Sequence, residues 1–150
     1  MRELSDLLDL AQERATALEL PYKGAVTPRE AYEILLLSPE ARLIDVRTRA
    51  ELDWVGRIPG AIEIEWLFYP GNALNEHFIP QLRKQAAPDS QLLFICRSGV
   101  RSYAAAIAAV SAGYEWSYNV LEGFEGDKDT NGQRNHIGGW RHEGLPWTQG

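Results

Sequence analysis

The feature that most constrains the fold is a regular alternation of short apolar runs with segments of helical pattern. Two runs, residues 41–46 (ARLIDV) and 91–96 (QLLFIC), are mainly apolar and short. Runs of this kind are typical of strands buried on both faces, as in parallel sheets. The strongest helical segment, residues 99–113, is rich in alanine and follows the second run directly. The pattern predicts an α/β fold with a parallel sheet and right-handed crossovers.

Local signals place the remaining elements. Thr27 as N-cap, Pro28 at the first helical position and Glu30 three residues after the cap predict a helix over about 28–37. Further elements are expected as a short strand over 61–66, a weak helix over 75–85 that Pro80 interrupts, and a last strand over 117–123. The glycine-rich segment 122–150 predicts mostly loop, anchored by Phe124, Trp140 and Trp147.

The N-terminal segment has its own pattern. Leucines and alanines recur at helical spacing over residues 3–19, acidic residues lie largely off this stripe, and Pro21 ends it. We expect a helix that docks on the main domain; a helix that binds a partner or a second copy is the alternative. The predicted organisation is a helical extension over 1–20 and a domain over 21–150 that includes the loop-rich tail.

Composition narrows the classes of function. A chain of 150 residues with 45% hydrophobic residues suits one domain with a real core. Its net charge of -6 argues against general nucleic-acid binding. No stretch approaches the roughly 20 apolar residues of a membrane span. A single cysteine excludes an internal disulfide and fits a reducing compartment, so a cytoplasmic location is expected.

That cysteine, Cys96, lies where chemistry is expected. It ends a buried strand, and ligands of open α/β sheets bind beyond the carboxyl ends of the strands. The residues that follow, 97–102 (RSGVRS), lead into the start of a helix, where free backbone amides and the helix dipole favour an anion. Two arginines within five residues add positive charge, and Gly99 lets amides converge. The pattern predicts an activated nucleophilic cysteine in an anion-binding cradle.

Three segments together resemble a known family. The run CRSGVRS at 96–102 is similar to the active-site loop of rhodanese-like domains, LIDVRTRAELDWVGRIPGAIEI to the strand and turn before it, and NVLEGFEG to the strand and loop after the active-site helix. The resemblance spans about residues 23–147. It implies a five-stranded parallel sheet between helices, here with an extra N-terminal helix. It also implies a single-domain thiosulfate sulfurtransferase that needs no cofactor.

The resemblance also implies roles for particular residues. Cys96 is expected to be catalytic and to carry sulfur as a persulfide between a small-molecule donor and a thiophilic acceptor such as cyanide or a thiol. Arg101 is expected either to bind the donor or to brace the loop. Asp45 and Arg47 are expected to support the loop, with Glu51 as the ion partner of Arg47. The expected substrate-binding residues are Arg97, Ser98, Gly99, Val100, Arg101 and Ser102.

Two other functions stay open. A phosphatase of the same fold would need a longer loop, whereas the four residues between Cys96 and Arg101 match the length used for sulfur transfer. The second is a sulfur-carrier module whose turnover of free thiosulfate is incidental and whose partner belongs to a sulfur relay. The N-terminal helix is the feature that would mark such a partner.

One segment imitates a metal site. Residues 127–132 (DKDTNG) match the first half of an EF-hand loop, but the twelfth position is Gly138 in place of a bidentate glutamate. A polar turn is therefore predicted. The three histidines are too scattered to suggest a site, and no bound metal is expected.

Overall fold

Helices and strands alternate along the chain in the computed structural model, which describes residues 2–149. The strands are β1 (Gly24–Val26), β2 (Arg42–Asp45), β3 (Ile62–Glu63), β4 (Leu67–Phe68), β5 (Ala73–Leu74), β6 (Leu92–Ile95) and β7 (Ser117–Val120). The helices are α1 (Leu4–Ala17), α2 (Pro28–Leu37), α3 (Arg49–Trp54), α4 (Phe78–Gln85) and α5 (Val100–Ser111). Five strands form one parallel sheet in the order β1-β7-β6-β2-β3, and β4 and β5 pair antiparallel. The predicted α/β class and five-stranded parallel sheet are confirmed.

The central strand β6 is buried on both faces. Its side chains alternate, so Leu93 and Ile95 enter one core while Leu92 and Phe94 enter the other. The first core also takes residues of α1, α2 and the C-terminal tail, and the second takes residues of α4 and α5. The sheet therefore lies between two helical layers.

Helix α2 begins where its capping signals predict. The Thr27 hydroxyl accepts a bond from the Glu30 amide at 3.2 Å, and the Glu30 carboxylate accepts one from the Thr27 amide at 2.9 Å. One predicted strand needs correction, and one strand of the main sheet was missed. The strand expected over 61–66 is only Ile62–Glu63, because it pairs with β2 on one side alone at the sheet edge. Strand β1 was not predicted, since three residues are too few to show a pattern.

Helix α1 docks on the sheet, as its stripe predicts. Three side chains of the helix itself are buried against the rest of the domain: Leu7, Ala11 and Ala15. The Arg14 guanidinium donates to the Ala25 carbonyl of β1 at 2.6 Å and pairs with Glu30 of α2 at 2.9 Å. The helix is thus tied to two neighbouring elements. The predicted division of the chain into a helical extension over 1–20 and a domain over 21–150 stays a prediction.

The segment after β7 is mostly loop with aromatic anchors, as predicted. Phe124 and Trp140 are buried, and Trp147 packs edge-on against Phe124 with 6.1 Å between ring centroids. In the segment that imitates an EF-hand, the Asp129 carboxylate accepts the amides of Asn131 and Gln133 at 2.8 and 2.9 Å. A local turn therefore uses this carboxylate.

Two kinds of feature are absent from residues 2–149. None of the helices there has the length and apolar character needed to cross a membrane. The same residues contain no cluster of three or more histidine, cysteine, aspartate or glutamate side chains suited to a metal ion.

Candidate active site

Cys96 directly follows β6, the middle strand of the sheet, and α5 begins four residues later. Strands β2 and β7 flank β6, so their carboxyl ends surround the cysteine. The residue is only 1% exposed and belongs to the core that α5 covers. A buried strand and the first turn of a helix therefore hold the sulfur in place.

Two polar atoms contact the Cys96 sulfur. The Gly99 amide donates to Sγ at 3.1 Å, and the Ser102 hydroxyl lies 3.3 Å from it. Gly99 has φ +107°, a backbone conformation that side chains disfavour and that turns its amide inward. Both contacts come from the start of α5, where donors favour a negative charge on the sulfur.

Behind the sulfur, Ser102 begins a hydrogen-bonded chain. Its hydroxyl donates to Asn119 Oδ1 at 2.6 Å, and Asn119 Nδ2 donates to the Tyr22 hydroxyl and to the Gly99 carbonyl, each at 3.3 Å. Ser102 is fully buried, so it faces the core and not the solvent. A hydroxyl has one proton, and Ser102 must redirect it to Sγ if it is to stabilise an anionic sulfur.

The sequence interpretation overlooked Asn119. It is a polar residue inside the buried strand β7, next to the strand that ends at Cys96. A buried polar side chain in a central strand requires partners, and this requirement is the signal that would have found it.

Arg101 is held by Glu51 of α3. The two side chains form a bidentate pair, with Nη1–Oε1 at 2.6 Å and Nη2–Oε2 at 2.8 Å. Burial would raise the Glu51 pKa, but the Arg101 hydrogen bonds and charge outweigh it and lower that pKa to about 2. The expected pairing of Glu51 with Arg47 is therefore wrong. The pair ties the loop to α3, which favours the bracing role expected of Arg101, and the role itself stays a prediction.

Arg47 pairs instead with Asp45 at the end of β2. Both side chains are completely buried, and Nη2 lies 2.7 Å from Oδ2. The guanidinium also stacks over the Phe124 ring at 4.1 Å from its centroid. The pair and the ring contact link the end of β2 to Phe124 in the segment after β7. Asp45 and Arg47 are therefore placed to support the active-site loop through that segment.

The turn after β7 packs directly against the active-site loop. The Phe124 amide donates to the Cys96 carbonyl at 2.8 Å, and the Glu125 amide donates to the Arg97 carbonyl at 2.9 Å. Gly123 has φ +63°, and a Cβ there would lie 2.5 Å from the Arg97 carbonyl carbon. Only glycine permits this close approach.

The outer side of the loop borders a cavity of about 660 Å³. Of the expected substrate-binding residues, Arg97 and Arg101 line it, Val100 is 75% exposed, and Ser98 is half-buried. Trp54 of α3 and Tyr69 line the same cavity and are 80% and 68% exposed. Of the predicted loop residues, the structure thus brings Gly99 and Ser102 onto the Cys96 sulfur and leaves Arg97 and Arg101 in the cavity wall.

Comparison with known proteins agrees with this geometry. The family described as "Rhodanese-like domain" matches residues 27–130, which include the cysteine, the loop and the turn behind it. The chain belongs to this family. An uncharacterised protein of Rickettsia prowazekii is 35% identical over 120 residues, which cover 79% of this chain and 91% of that protein. A protein named "Sulfurtransferase" from Allochromatium vinosum is 30% identical over 104 residues, covering 69% of this chain and 75% of that protein.

Solved structures agree on the fold. The crystal structure of Rv0390 from M. tuberculosis is similar with a TM-score of 0.79 and 41% identity, covering 86% of this rhodanese-like chain and 99% of that one. A polysulfide-sulfur transferase of Wolinella succinogenes shares the fold with a TM-score of 0.60 and 21% identity, covering 99% and 95% of the two chains. The family resemblance drawn from the three sequence segments is confirmed.

Proposed function

We propose that this rhodanese-like protein is a sulfurtransferase that carries sulfane sulfur as a persulfide on Cys96. The donor is an inorganic or organic sulfane compound such as thiosulfate, and the acceptor is cyanide or a thiol. One observation carries the proposal: a lone cysteine ends the central strand, with the Gly99 amide 3.1 Å from its sulfur at the start of a helix. A relative named "Sulfurtransferase" supports the same class of reaction.

Loading is a displacement at sulfur. The Cys96 thiolate attacks the outer sulfur of thiosulfate, a new sulfur–sulfur bond forms, and the old one breaks with its electron pair on departing sulfite. The Gly99 amide donates to the Cys96 sulfur and so stabilises the thiolate that makes the attack. Arg97 attracts the anionic donor from the edge of the loop.

Unloading restores the thiolate. A nucleophilic acceptor attacks the outer sulfur of the Cys96 persulfide, and the electron pair of the sulfur–sulfur bond returns to the Cys96 sulfur. With cyanide the product is thiocyanate; with a thiol it is a new persulfide. No net oxidation occurs, so the cycle requires no cofactor.

Mass spectrometry of the intact protein tests the persulfide. After thiosulfate treatment, the wild-type chain should gain one sulfur atom, and Cys96→Ser should gain none while its circular dichroism spectrum is unchanged. The substitution removes only the nucleophile, so the fold should survive. An unmodified wild-type protein would exclude the persulfide mechanism.

The same preparation separates the alternatives. Turnover of an aryl phosphate without sulfur loading would favour the phosphatase. Loading without turnover of cyanide, together with delivery of sulfur to a copurifying protein, would favour a carrier within a sulfur relay.

A further inference from the structure

Asn119 lies directly behind the Ser102 hydroxyl, which in turn neighbours the Cys96 sulfur. It is a polar residue of β7 and is only 2% exposed. Its side-chain oxygen Oδ1 is 2.6 Å from Ser102 Oγ, and the same Oγ is 3.3 Å from Cys96 Sγ. Asn119 and the sulfur therefore compete for a single hydroxyl.

The orientation of the Asn119 amide is fixed by the Gly99 carbonyl. That carbonyl has no proton to donate, so the Asn119 atom 3.3 Å from it has to be the amide nitrogen Nδ2. Turning the amide over would set two carbonyl oxygens against each other. Oδ1 consequently faces Ser102, and Asn119 offers the hydroxyl an acceptor and no donor.

The Ser102 proton is committed to Asn119 while Cys96 is a thiol. A hydroxyl has one proton, and the 2.6 Å bond to Oδ1 uses it, so the 3.3 Å contact with the sulfur is donated by the Cys96 S–H group. When Cys96 loses its proton to solvent, Ser102 has to turn towards the thiolate. The buried Oδ1 of Asn119 then loses its donor, which costs free energy.

We propose that Asn119 is a positioning residue that holds the Ser102 proton away from Cys96 and thereby favours the thiol over the thiolate. It acts through Ser102 and does not contact the sulfur. The inference rests on the proposed function and deepens it, because loading begins with attack by the thiolate. Asn119 thus helps to set the pH range in which Cys96 accepts sulfur.

Charged side chains lie around Cys96, but within residues 2–149 none of them is hydrogen-bonded to its sulfur. The titratable groups on the surrounding elements are Asp45 and Arg47 at the end of β2, Glu51 on α3, Arg97 and Arg101 around the loop, Glu122 and Glu125 after β7, and Tyr22 before β1. The Arg101 charge interacts with a charge on Cys96, but Arg101 stays paired with Glu51. Replacing Asn119 by leucine leaves all of these groups in place, so the thiolate reports the Ser102 proton.

The rate of Cys96 alkylation by iodoacetamide, followed from pH 5 to pH 10, tests this role. Asn119→Leu nearly keeps the side-chain volume and removes the acceptor, which frees Ser102 to donate to the sulfur. Where the rate still rises with pH, it should increase about tenfold, the cost of one buried acceptor without a donor. At high pH, where every chain carries the thiolate, variant and wild type should react alike. An unchanged rate, or an equal gain at every pH as from simple exposure of the sulfur, would overturn the proposal.

Asn119→Asp should act in the opposite direction. A buried carboxylate accepts the Ser102 proton more strongly, and its charge opposes a second negative charge on Cys96. On the rising part of the profile, alkylation should slow about tenfold. Damage to the fold would move both variants the same way, so rates that change alike in Asn119→Leu and Asn119→Asp would contradict the role.

Two further comparisons separate positioning from a structural effect. In a Ser102→Ala background, Asn119→Leu should leave the alkylation rate unchanged, because the residue through which it acts is gone; the same gain there would refute the proposal. Asn75→Leu is the matched control, since Asn75 is 3% exposed and bonds to the Glu65 carbonyl and to Gln81. It should lower stability and leave the pH profile of alkylation as in wild type.

Alkylation needs no sulfur donor, so the two proposals fail separately. The expected profiles in a chain that takes up no sulfur would refute the proposed sulfur transfer alone. Sulfur loading together with an unchanged profile in Asn119→Leu would refute only the role of Asn119.

Discussion

At the scale of single residues, the sulfur of Cys96 has one backbone donor, the Gly99 amide, and one neighbouring hydroxyl, that of Ser102. The Gly99 amide is fixed by the loop, whereas the Ser102 hydroxyl can turn between Asn119 and the sulfur. The hydroxyl is therefore the adjustable donor, and it is the more informative one to remove.

Ser102→Ala should slow the reaction of Cys96 with iodoacetamide at neutral pH by about tenfold, the cost of one hydrogen bond to a charged group. The thiolate then keeps the Gly99 amide alone. Second-order alkylation rates measure the effect directly, and Ser102→Thr should restore most of the rate because it keeps the hydroxyl.

Ser117→Ala is the matched control. Ser117 of β7 is another buried serine, but its hydroxyl donates to the Tyr114 carbonyl and does not contact Cys96. Its alkylation rate should equal that of wild type even if stability falls. Equal rates in Ser102→Ala and wild type would mean that the hydroxyl does not act on the thiolate.

Glu51 makes stability depend on acid pH. Its pKa falls from an ordinary 4.5 to about 2 in the folded protein, which corresponds to about 3 kcal/mol of stability. Because the folded pKa is the lower one, this stability is fully present above the unfolded pKa and is lost as the pH falls from 4.5 towards 2. Urea unfolding from pH 7 to pH 3 measures it.

Glu51→Gln should remove that pH dependence. The difference in unfolding free energy between wild type and variant is expected to be constant above about pH 5.5 and to shrink below pH 4.5. Two curves that stay parallel down to pH 3 would show that the Arg101 pair contributes nothing through ionisation.

At the scale of elements, the active-site loop is held from three sides: by β6 before it, by α3 through Glu51, and by the turn after β7. The turn makes the closest approach, since its amides bond to the carbonyls of Cys96 and Arg97. Its geometry should therefore control the loop.

Gly123→Ala should abolish most sulfur transfer and lower the melting temperature. A Cβ here would strike the Arg97 carbonyl and push the loop away from Cys96, in addition to the strain of about 1–2 kcal/mol for a positive φ. Thiosulfate loading and thermal unfolding of the same samples measure the two effects.

Gly132→Ala separates strain from collision. Gly132 has a similar φ of +76°, and a Cβ there would meet nothing within 4 Å. It should cost stability but leave sulfur loading intact. Normal loading in Gly123→Ala would show that the loop tolerates the displaced turn.

Elements with strong local signals were predictable from the sequence. The capping box of Thr27 and Glu30 fixed the start of α2, and the two apolar runs marked β2 and β6. Strand β1 was not predicted because its pairing with β7 defines it. The β4–β5 hairpin was not predicted because each of its strands has only two residues. Contacts distant in sequence, which local patterns do not encode, decide such elements.

The residues of the candidate site were also predictable only where they are contiguous in sequence. The cysteine, its loop and the start of α5 are contiguous, so the sequence identified them together. The partner of Arg47 was misassigned as Glu51, because the two residues are near in sequence, whereas Glu51 bonds across to Arg101 of α5 and Arg47 pairs with Asp45. Asn119 and the aromatic cavity wall were missed or left unplaced, since only the folded sheet brings them to the loop.

At the scale of the whole molecule, α1 closes one end of the sheet. It covers β1, an edge strand, and contributes Leu7 and Ala11 to the same core as β7 and the C-terminal aromatic residues. Its buried stripe and its Arg14 bonds to Ala25 and Glu30 are the features of a structural helix. A partner would have to use its outer face.

Leu7→Ala distinguishes these roles. If α1 is part of the core, truncating Leu7, which is 1% exposed, should cost about 2–5 kcal/mol in urea unfolding. Leu18→Ala, just beyond the same helix and 60% exposed, should cost less than about 0.5 kcal/mol. Equal small losses for both would mean that α1 docks too weakly to stabilise the sheet.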